Sequence, residues 1–459
     1  MGRLFRGVVL GIAWPVIAAV TSPAALANAA PPNLVLVVVD DLGFSDLGSF
    51  GSEIRTPHID ALAAEGRRFA NFHATGMCAP SRAILMSGED HHAVGVGNMP
   101  ESMPLRHRGQ PGYAGTLDPN VLTVAQRLRA VGYRNYFVGK WHLGKTPALL
   151  PFARGFDRTI TLADTGADNY EQRPYMPMDA QAHWFADGQP LTLPADFYSS
   201  EYLVDRAIEF IETDAARDQP FFLTLGFLAV HIPLQVPREF SDRYAGKYAD
   251  GWEHLRRTRH QGAIANGVIP ADAPLAMMPS MAAWDDLDAD EQRYQARRME
   301  IYAGMLEAMD HHLGRLVTHL QRRGDWDNTV VVVLSDNGAE PNDPRAMPTM
   351  RLWARTVGYS MDLDDLGDRG SHVAIGPHWA SAAAAPGQQY KMLAGEGGIR
   401  VPLIIRAPES PQPGAVYQPF AHVLDIVPTL LDLARGEVPA AMPGRSLRPA
   451  IADPAAAIR

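Results

Sequence analysis

One cysteine in 459 residues, Cys78, leaves no intrachain disulfide to be made. A solitary thiol is either a small core hydrophobe, as free cysteines often are, or a group kept for chemistry. An excess of basic charge is also missing: 41 Lys and Arg against 51 Asp and Glu give a net charge of −10. That balance argues against a nucleic-acid partner, and an anionic substrate would need a locally positive pocket. No uninterrupted membrane-length run opens the chain. The stretch Val8 to Val20 is broken by Pro15 and falls short of the roughly 20 residues that cross a bilayer. Arg3 and Arg6 precede it, and Ala24-Ala25-Leu26-Ala27-Asn28-Ala29 follow. This order reads as a secretory signal over 1–29, cut after Ala27 or Ala29. The expectation is a periplasmic or secreted protein without a stable membrane anchor, an uncleaved anchor being the alternative. Internal repeats are lacking too. With 46% hydrophobic and 20% charged residues, the composition suits one large α/β domain or two, not a disordered or fibrous chain.

What is present is a set of buried-strand patterns. Asn33 to Val39 is a continuous branched apolar run that ends in Asp40-Asp41. Thr329 to Leu334 is another, ending in Ser335-Asp336-Asn337-Gly338, and Phe221 to Leu225 precedes His231. Such runs predict strands covered on both faces. Tyr136 to Val138 and Val401 to Ile405 are shorter candidates. Ile301, Met305, Met309, Leu313, Leu316 and Leu320 form one stripe of a long amphipathic helix. Leu122, Val124 and Leu128 suggest a second helix, and Ala61 to Arg67 a third. Strands alternating with helices predict an α/β fold, a large, mostly parallel sheet with helices on both faces. Sites in such sheets sit at the carboxyl ends of strands. Residues 165–200 and 338–390, long and weakly periodic, are expected to wall a substrate pocket or to be plain insertions.

Asp40, Asp41, Asp336 and Asn337 all follow predicted strands. Either pair alone reads as turn residues. If the two strands are neighbours, three carboxylates and an amide oxygen converge into a hard-cation site for Ca²⁺, with Mg²⁺ as the alternative.

The segment Cys78-Ala79-Pro80-Ser81-Arg82, running on to Ser87-Gly88, resembles the signature of the sulfatase family, within the alkaline phosphatase-like superfamily. The chain resembles bacterial arylsulfatases of the Pseudomonas type. Further similarities are Gly139-Lys140-Trp141-His142-Leu143-Gly144, Ala229-Val230-His231-Ile232-Pro233-Leu234, and Tyr390-Lys391 before Gly395 to Pro402. The likeness runs from Asn33 to about Ser446. It implies that a maturation enzyme oxidises Cys78 to formylglycine (3-oxoalanine), that Arg82 supports this nucleophile, and that residue 78 joins the four strand-end residues at the metal. It also implies that Lys140 and Lys391 contact sulfate, that His142 assists elimination, and that His231 stands near the leaving-group oxygen.

The chemistry has a physical reason. A serine-bound sulfate would be a stable ester, whereas a sulfated gem-diol collapses to the aldehyde and expels sulfate without attack of water on sulfur. Glu89 to His92, Asp196 to Ser200 and Val423 to Leu431 also match the family, and imply fold only. His91-His92 and His311-His312 are read as solvated or core-satisfied histidines, and Lys145 as a surface charge. The expected layout is a catalytic domain over 30–446. The Ala- and Pro-rich tail 447–459 stands where the family carries a small C-terminal antiparallel subdomain, which would leave an edge of the main domain exposed. The expected partners are a small-molecule sulfate ester and the formylglycine-generating enzyme. The competing readings are a phosphonate monoester or phosphodiester hydrolase of the same superfamily, and a truncated non-catalytic homologue.

Overall fold

A strand built from Val and Leu alone has no face it can offer to water, and the chain covers both. The computed structural model describes residues 30–213, 219–278, 282–408 and 410–459, so the expected signal segment lies outside the described residues. The strands, in chain order, are β1 (Asn33–Val39), β2 (Arg67–Phe69), β3 (Phe72–His73), β4 (Arg134–Lys140), β5 (Arg158–Leu162) and β6 (Trp184–Ala186). They continue with β7 (Gln189–Pro190), β8 (Phe221–Gly226), β9 (Thr329–Ser335), β10 (Leu403–Arg406), β11 (Val416–Tyr417) and β12 (Ala421–His422). Among the described residues, ten of them form one sheet in the order β11-β2-β10-β9-β1-β8-β4-β5-β6-β7. The centre, β9-β1-β8-β4-β5, is parallel. β10 runs antiparallel to β9 and β2, and β6 and β7 are antiparallel at the other edge. β3 and β12 pair separately.

Side chains alternate across the sheet, so each central strand feeds two cores. Val35, Val37 and Val39 enter one, with the long helix Ala289–Arg323 and the helix Ser199–Thr213. Leu34, Leu36 and Val38 enter the other, with the helices Cys78–Ser87, Val124–Ala130 and Ile426–Leu433.

Some predicted boundaries shift. Thr123 caps the second predicted helix through a capping box with Gln126, so Leu122 falls outside it and is exposed. The third predicted helix spans Pro57–Glu65 and stops at Gly66, which frees Arg67 to begin β2. Gly139 and Lys140 lie within β4 rather than after it. Gly139 is required there: its φ is 116°, and a Cβ would stand 1.9 Å from the Gly226 carbonyl oxygen of β8. The tail packs down, with Leu447 and Ile451 buried, Arg67 donating to the Ile451 carbonyl at 2.9 Å, and Arg459 paired with Asp425 at 2.5 Å.

The loop after β1 is fastened from behind. Arg259 makes a bidentate pair with Glu53 (2.9 Å to each oxygen) and a second ion pair with Asp46. Asp46 also accepts from Tyr302 at 2.6 Å and from the Gly43 amide at 2.7 Å. Burial pushes Asp46 up despite Arg259, so this charge depends on its partner. Arg259→Met is expected to destabilise the protein by about 3–5 kcal/mol, because it strands the buried Asp46 carboxylate and the half-buried Glu53. Denaturant unfolding will measure it, and a loss below about 1 kcal/mol would contradict the assignment.

Candidate active site

The sheet register brings the predicted residues to one end. Val39 pairs with Ser335, Val38 with Gly226, and Gly139 with Gly226. The carboxyl ends of β1, β9, β8 and β4 are therefore level, and Asp40-Asp41, Asp336-Asn337 and Lys140 emerge side by side. His231 follows on the loop after β8, and Cys78 opens its helix opposite them. Ligand atoms of Asp40, Asp41, Cys78 and Asp336, all buried, lie within 4.8 Å of one another. Cys78 Sγ is 3.8 Å from Asp41 Oδ1. Asp41 adopts φ 66°, a conformation rare for a side-chain-bearing residue and characteristic of functional sites.

Cations neutralise the carboxylates one by one. Lys140 Nζ donates to Asp40 at 2.6 Å, Arg82 Nε to Asp336 at 2.8 Å, and Arg82 Nη1 to the Lys140 carbonyl at 2.7 Å. Lys391 Nζ lies 2.9 Å from the Asp41 carboxylate and 2.7 Å from Glu340. Burial pushes Asp40 up to about 7, against the pull of Lys140 and with repulsion from Asp336 and Asp41. Asp41 is also buried, yet Lys391, His231 and Lys140 together outweigh burial and hold its carboxyl well below the usual range. Burial drives the Cys78 thiol well above its ordinary value. An unmodified Cys78 is thus the reverse of an activated thiolate.

Burial lowers both histidines below the ordinary imidazole value. Burial, Lys140 and Lys391 push His231 well down, and its Nδ1 donates to the Ile232 carbonyl at 2.6 Å, so Nε2 faces Asp41 at 3.7 Å. His142 is lowered mainly by burial, and its Nε2 stands 3.0 Å from Glu101.

All ten sequence-predicted residues (Asp40, Asp41, Cys78, Arg82, Lys140, His142, His231, Asp336, Asn337 and Lys391) share this buried end of the sheet. Three neighbours went unread in the sequence. Glu340 holds Lys391, Glu101 holds His142, and Tyr175 sets its ring edge-on to His231 at 5.0 Å. Glu340 stands three residues beyond Asn337, the only available signal. Glu101 and Tyr175 lie in segments without periodicity. Tyr175 also joins the two long loops, since His372 donates to its carbonyl at 2.8 Å. Lys145 is tied to Asp164 (2.5 Å) and Asp179 (2.6 Å) at a narrow cavity of about 30 Å³ beside Glu101 and Tyr175. A roomier cleft of about 990 Å³, between Arg238, Trp284 and Arg297, lies apart from these residues.

The donor set fits a hard cation. Three clustered carboxylates supply oxygen ligands, and Asn337 Oδ1 is buried with no hydrogen-bond partner among the described residues, while its Nδ2 donates to Asp41 at 2.7 Å. A buried amide oxygen without a donor is costly unless something else meets it.

The comparisons agree with this geometry. The family profile described as Sulfatase matches residues 32–437. An arylsulfatase of Klebsiella aerogenes is 34% identical over 407 residues, covering 88% of this chain and 86% of that one. An uncharacterised sulfatase of Schizosaccharomyces pombe is 38% identical over 428 residues, covering 90% and 76%. The crystal structure of Ps i-CgsB in complex with a neocarrahexaose aligns with a TM-score of 0.64 at 25% identity, over 92% of this chain and 76% of that one.

Proposed function

The chain belongs to the sulfatase family, and from that premise we propose that it hydrolyses aryl sulfates through Cys78 converted to formylglycine, beside a divalent cation. That it hydrolyses sulfate esters follows from the family. The observation that carries the finer reading is the lone thiol, 3.8 Å from Asp41 inside a cluster of three buried carboxylates. Conversion is a two-electron oxidation at Cβ. Sulfur leaves as sulfide, oxygen takes its place, and the oxidant belongs to the maturation enzyme. An export signal at 1–29 would place the mature protein in the periplasm or outside the cell.

Asp40, Asp41, Asp336 and Asn337 would hold Ca²⁺ or Mg²⁺, with the oxygen of converted residue 78 beside them. The cation supplies Lewis acidity to a sulfate oxygen and lowers the pKa of the attacking hydroxyl. The chain's own groups do the rest. Arg82 and Lys140 hold the strand-end carboxylates in place. Lys140 and Lys391 offer positive charge to the sulfuryl oxygens. Lys391 and His231 stand on the Asp41 side, where a departing phenolate oxygen would take a proton. Tyr175, Met176 and Met178 give the cavity mouth an apolar wall, which supports an aromatic leaving group.

Charge supports sulfate over phosphate monoesters. Around residue 78 itself, setting aside the His142–Glu101 pair, the carboxylates Asp40, Asp41, Asp336 and Glu340 outnumber the cations Arg82, Lys140 and Lys391 by one. A divalent cation turns this to one positive charge, which a monoanionic sulfate ester neutralises and a dianion overshoots. Nitrophenyl sulfate is expected to be turned over at least ~10²-fold faster than nitrophenyl phosphate, since an uncompensated buried charge costs several kcal/mol. Phosphonate monoesters and phosphodiesters are monoanions too, so this balance also admits the hydrolase of those esters as a second reading. The rates on matched sulfate, phosphate, phosphonate and diester substrates decide, and a phosphonate or diester rate above the sulfate rate would overturn the proposal. Mass spectrometry of the Cys78 peptide tests the conversion, and an unmodified thiol in active protein would refute it.

A further inference from the structure

We infer that Glu101 is a positioning residue that fixes the His142 tautomer, so that Nδ1 is the atom that takes the proton when the sulfated intermediate collapses. The inference rests on the sulfatase reading above and adds a residue that belongs to none of the sequence motifs.

The geometry leaves one assignment. Glu101 Oε2 lies 3.0 Å from His142 Nε2. His142 holds Glu101 down to about 2 even though burial opposes it, so the carboxyl is ionised and can only accept. Nε2 therefore carries the proton, and the lone pair of the neutral ring is on Nδ1. Nδ1 is buried and meets no hydrogen-bond partner among the described residues. A second observation points the same way. His142 sits at φ 59°, in left-handed backbone, two residues past Lys140 at the end of β4. Its backbone is held in a costly conformation and its free nitrogen is left unsatisfied, both features of a group placed for reaction.

The step balances. The remaining hydroxyl of the sulfated gem-diol gives its proton to Nδ1, and its O–H electron pair becomes the C=O bond. The C–O bond to sulfate breaks, and sulfate leaves with the electron pair of that C–O bond. The imidazolium that forms is stabilised by Glu101, as a carboxylate does when it orients a catalytic histidine. The charged groups around the ring are Glu101, Lys140 and Arg82, and Lys145 is the further cation near Glu101. Only Glu101 among them favours the imidazolium.

The test is Glu101→Gln in the full-length, formylglycine-bearing enzyme on nitrocatechol sulfate. The variant keeps an acceptor but loses the charge. kcat is expected to fall about 10²-fold, the lower end of general acid–base effects, with KM falling alongside it and kcat/KM changed by less than threefold, because the sulfation step is untouched. Elimination becomes rate-limiting, so the phenol appears in a burst of one equivalent, and the residue-78 peptide carries one added SO₃. The acid limb of kcat moves to lower pH, because loss of the carboxylate makes His142 harder to protonate. Glu101→Asp should recover most of kcat and return the limb. A kcat within threefold of wild type, or a loss with neither burst nor shifted limb, overturns the inference, and so does failure of Glu101→Asp to rescue. An inactive wild type with confirmed formylglycine would instead overturn the sulfatase reading, which separates the two failures.

Discussion

Cys78→Ala will lower kcat/KM on nitrophenyl sulfate by at least ~10⁴-fold, the scale on which nucleophile removal acts in covalent enzymes. Its stability should barely change. The side chain is buried in the second core and loses a single heavy atom, and its one polar contact among the described residues, to Asp41, is long at 3.8 Å. An unaltered melting temperature with abolished turnover would show that residue 78 serves the reaction and not the core. Cys78→Ser sharpens the point. A serine hydroxyl can be sulfated but has no second hydroxyl to expel the group, so the variant should stop after one event and retain one SO₃ per chain. Turnover by the alanine variant, at any rate near wild type, would remove the nucleophile assignment.

Exhaustive chelation will produce the second large effect. Without a cation, the Asp40, Asp41 and Asp336 carboxylates face one another with Asp40 pushed up to about 7, and the Asn337 oxygen stays unmet. Activity should fall to background and return with Ca²⁺ or Mg²⁺. A cation that binds only the folded chain also stabilises it, by about 2.7 kcal/mol at a hundredfold excess over Kd. Melting temperature should therefore climb with cation concentration, a readout independent of catalysis. If melting is insensitive to both chelator and cation, the strand-end carboxylates are a charge network satisfied by Arg82, Lys140 and Lys391 alone.

These experiments probe residues that the sequence marks in unequal ways. The β1, β8 and β9 runs are legible because strands buried on both faces are almost wholly apolar, and Asp40 and Asp336 stand out as the acidic residues that directly follow β1 and β9. Their partnership is not legible from spacing. It follows from β9 pairing beside β1 in a register that sets Ser335 opposite Val39. The three-residue strands β2 and β6 escape notice because so few residues carry no period, and Arg67 looks helical until Gly66 ends the preceding helix. Glu101 and Glu340 are invisible for another reason. A carboxylate in a loop becomes a partner only once folding delivers His142 or Lys391 to it, and no local pattern encodes that meeting. Arg259 is similar: one charge in a helix gives no hint that it anchors Asp46 behind the site.

The complete enclosure of residue 78 has a consequence for how the enzyme comes into being. No atom of Cys78 reaches the surface in the folded chain, and its helix is sealed beneath the strand tips. If Cys78 is converted as proposed, a second protein that grips and oxidises this segment would have to act while the chain is still open. Folding and oxidation would then compete, and the specific activity of a preparation would record what share of the chains was converted before the helix closed.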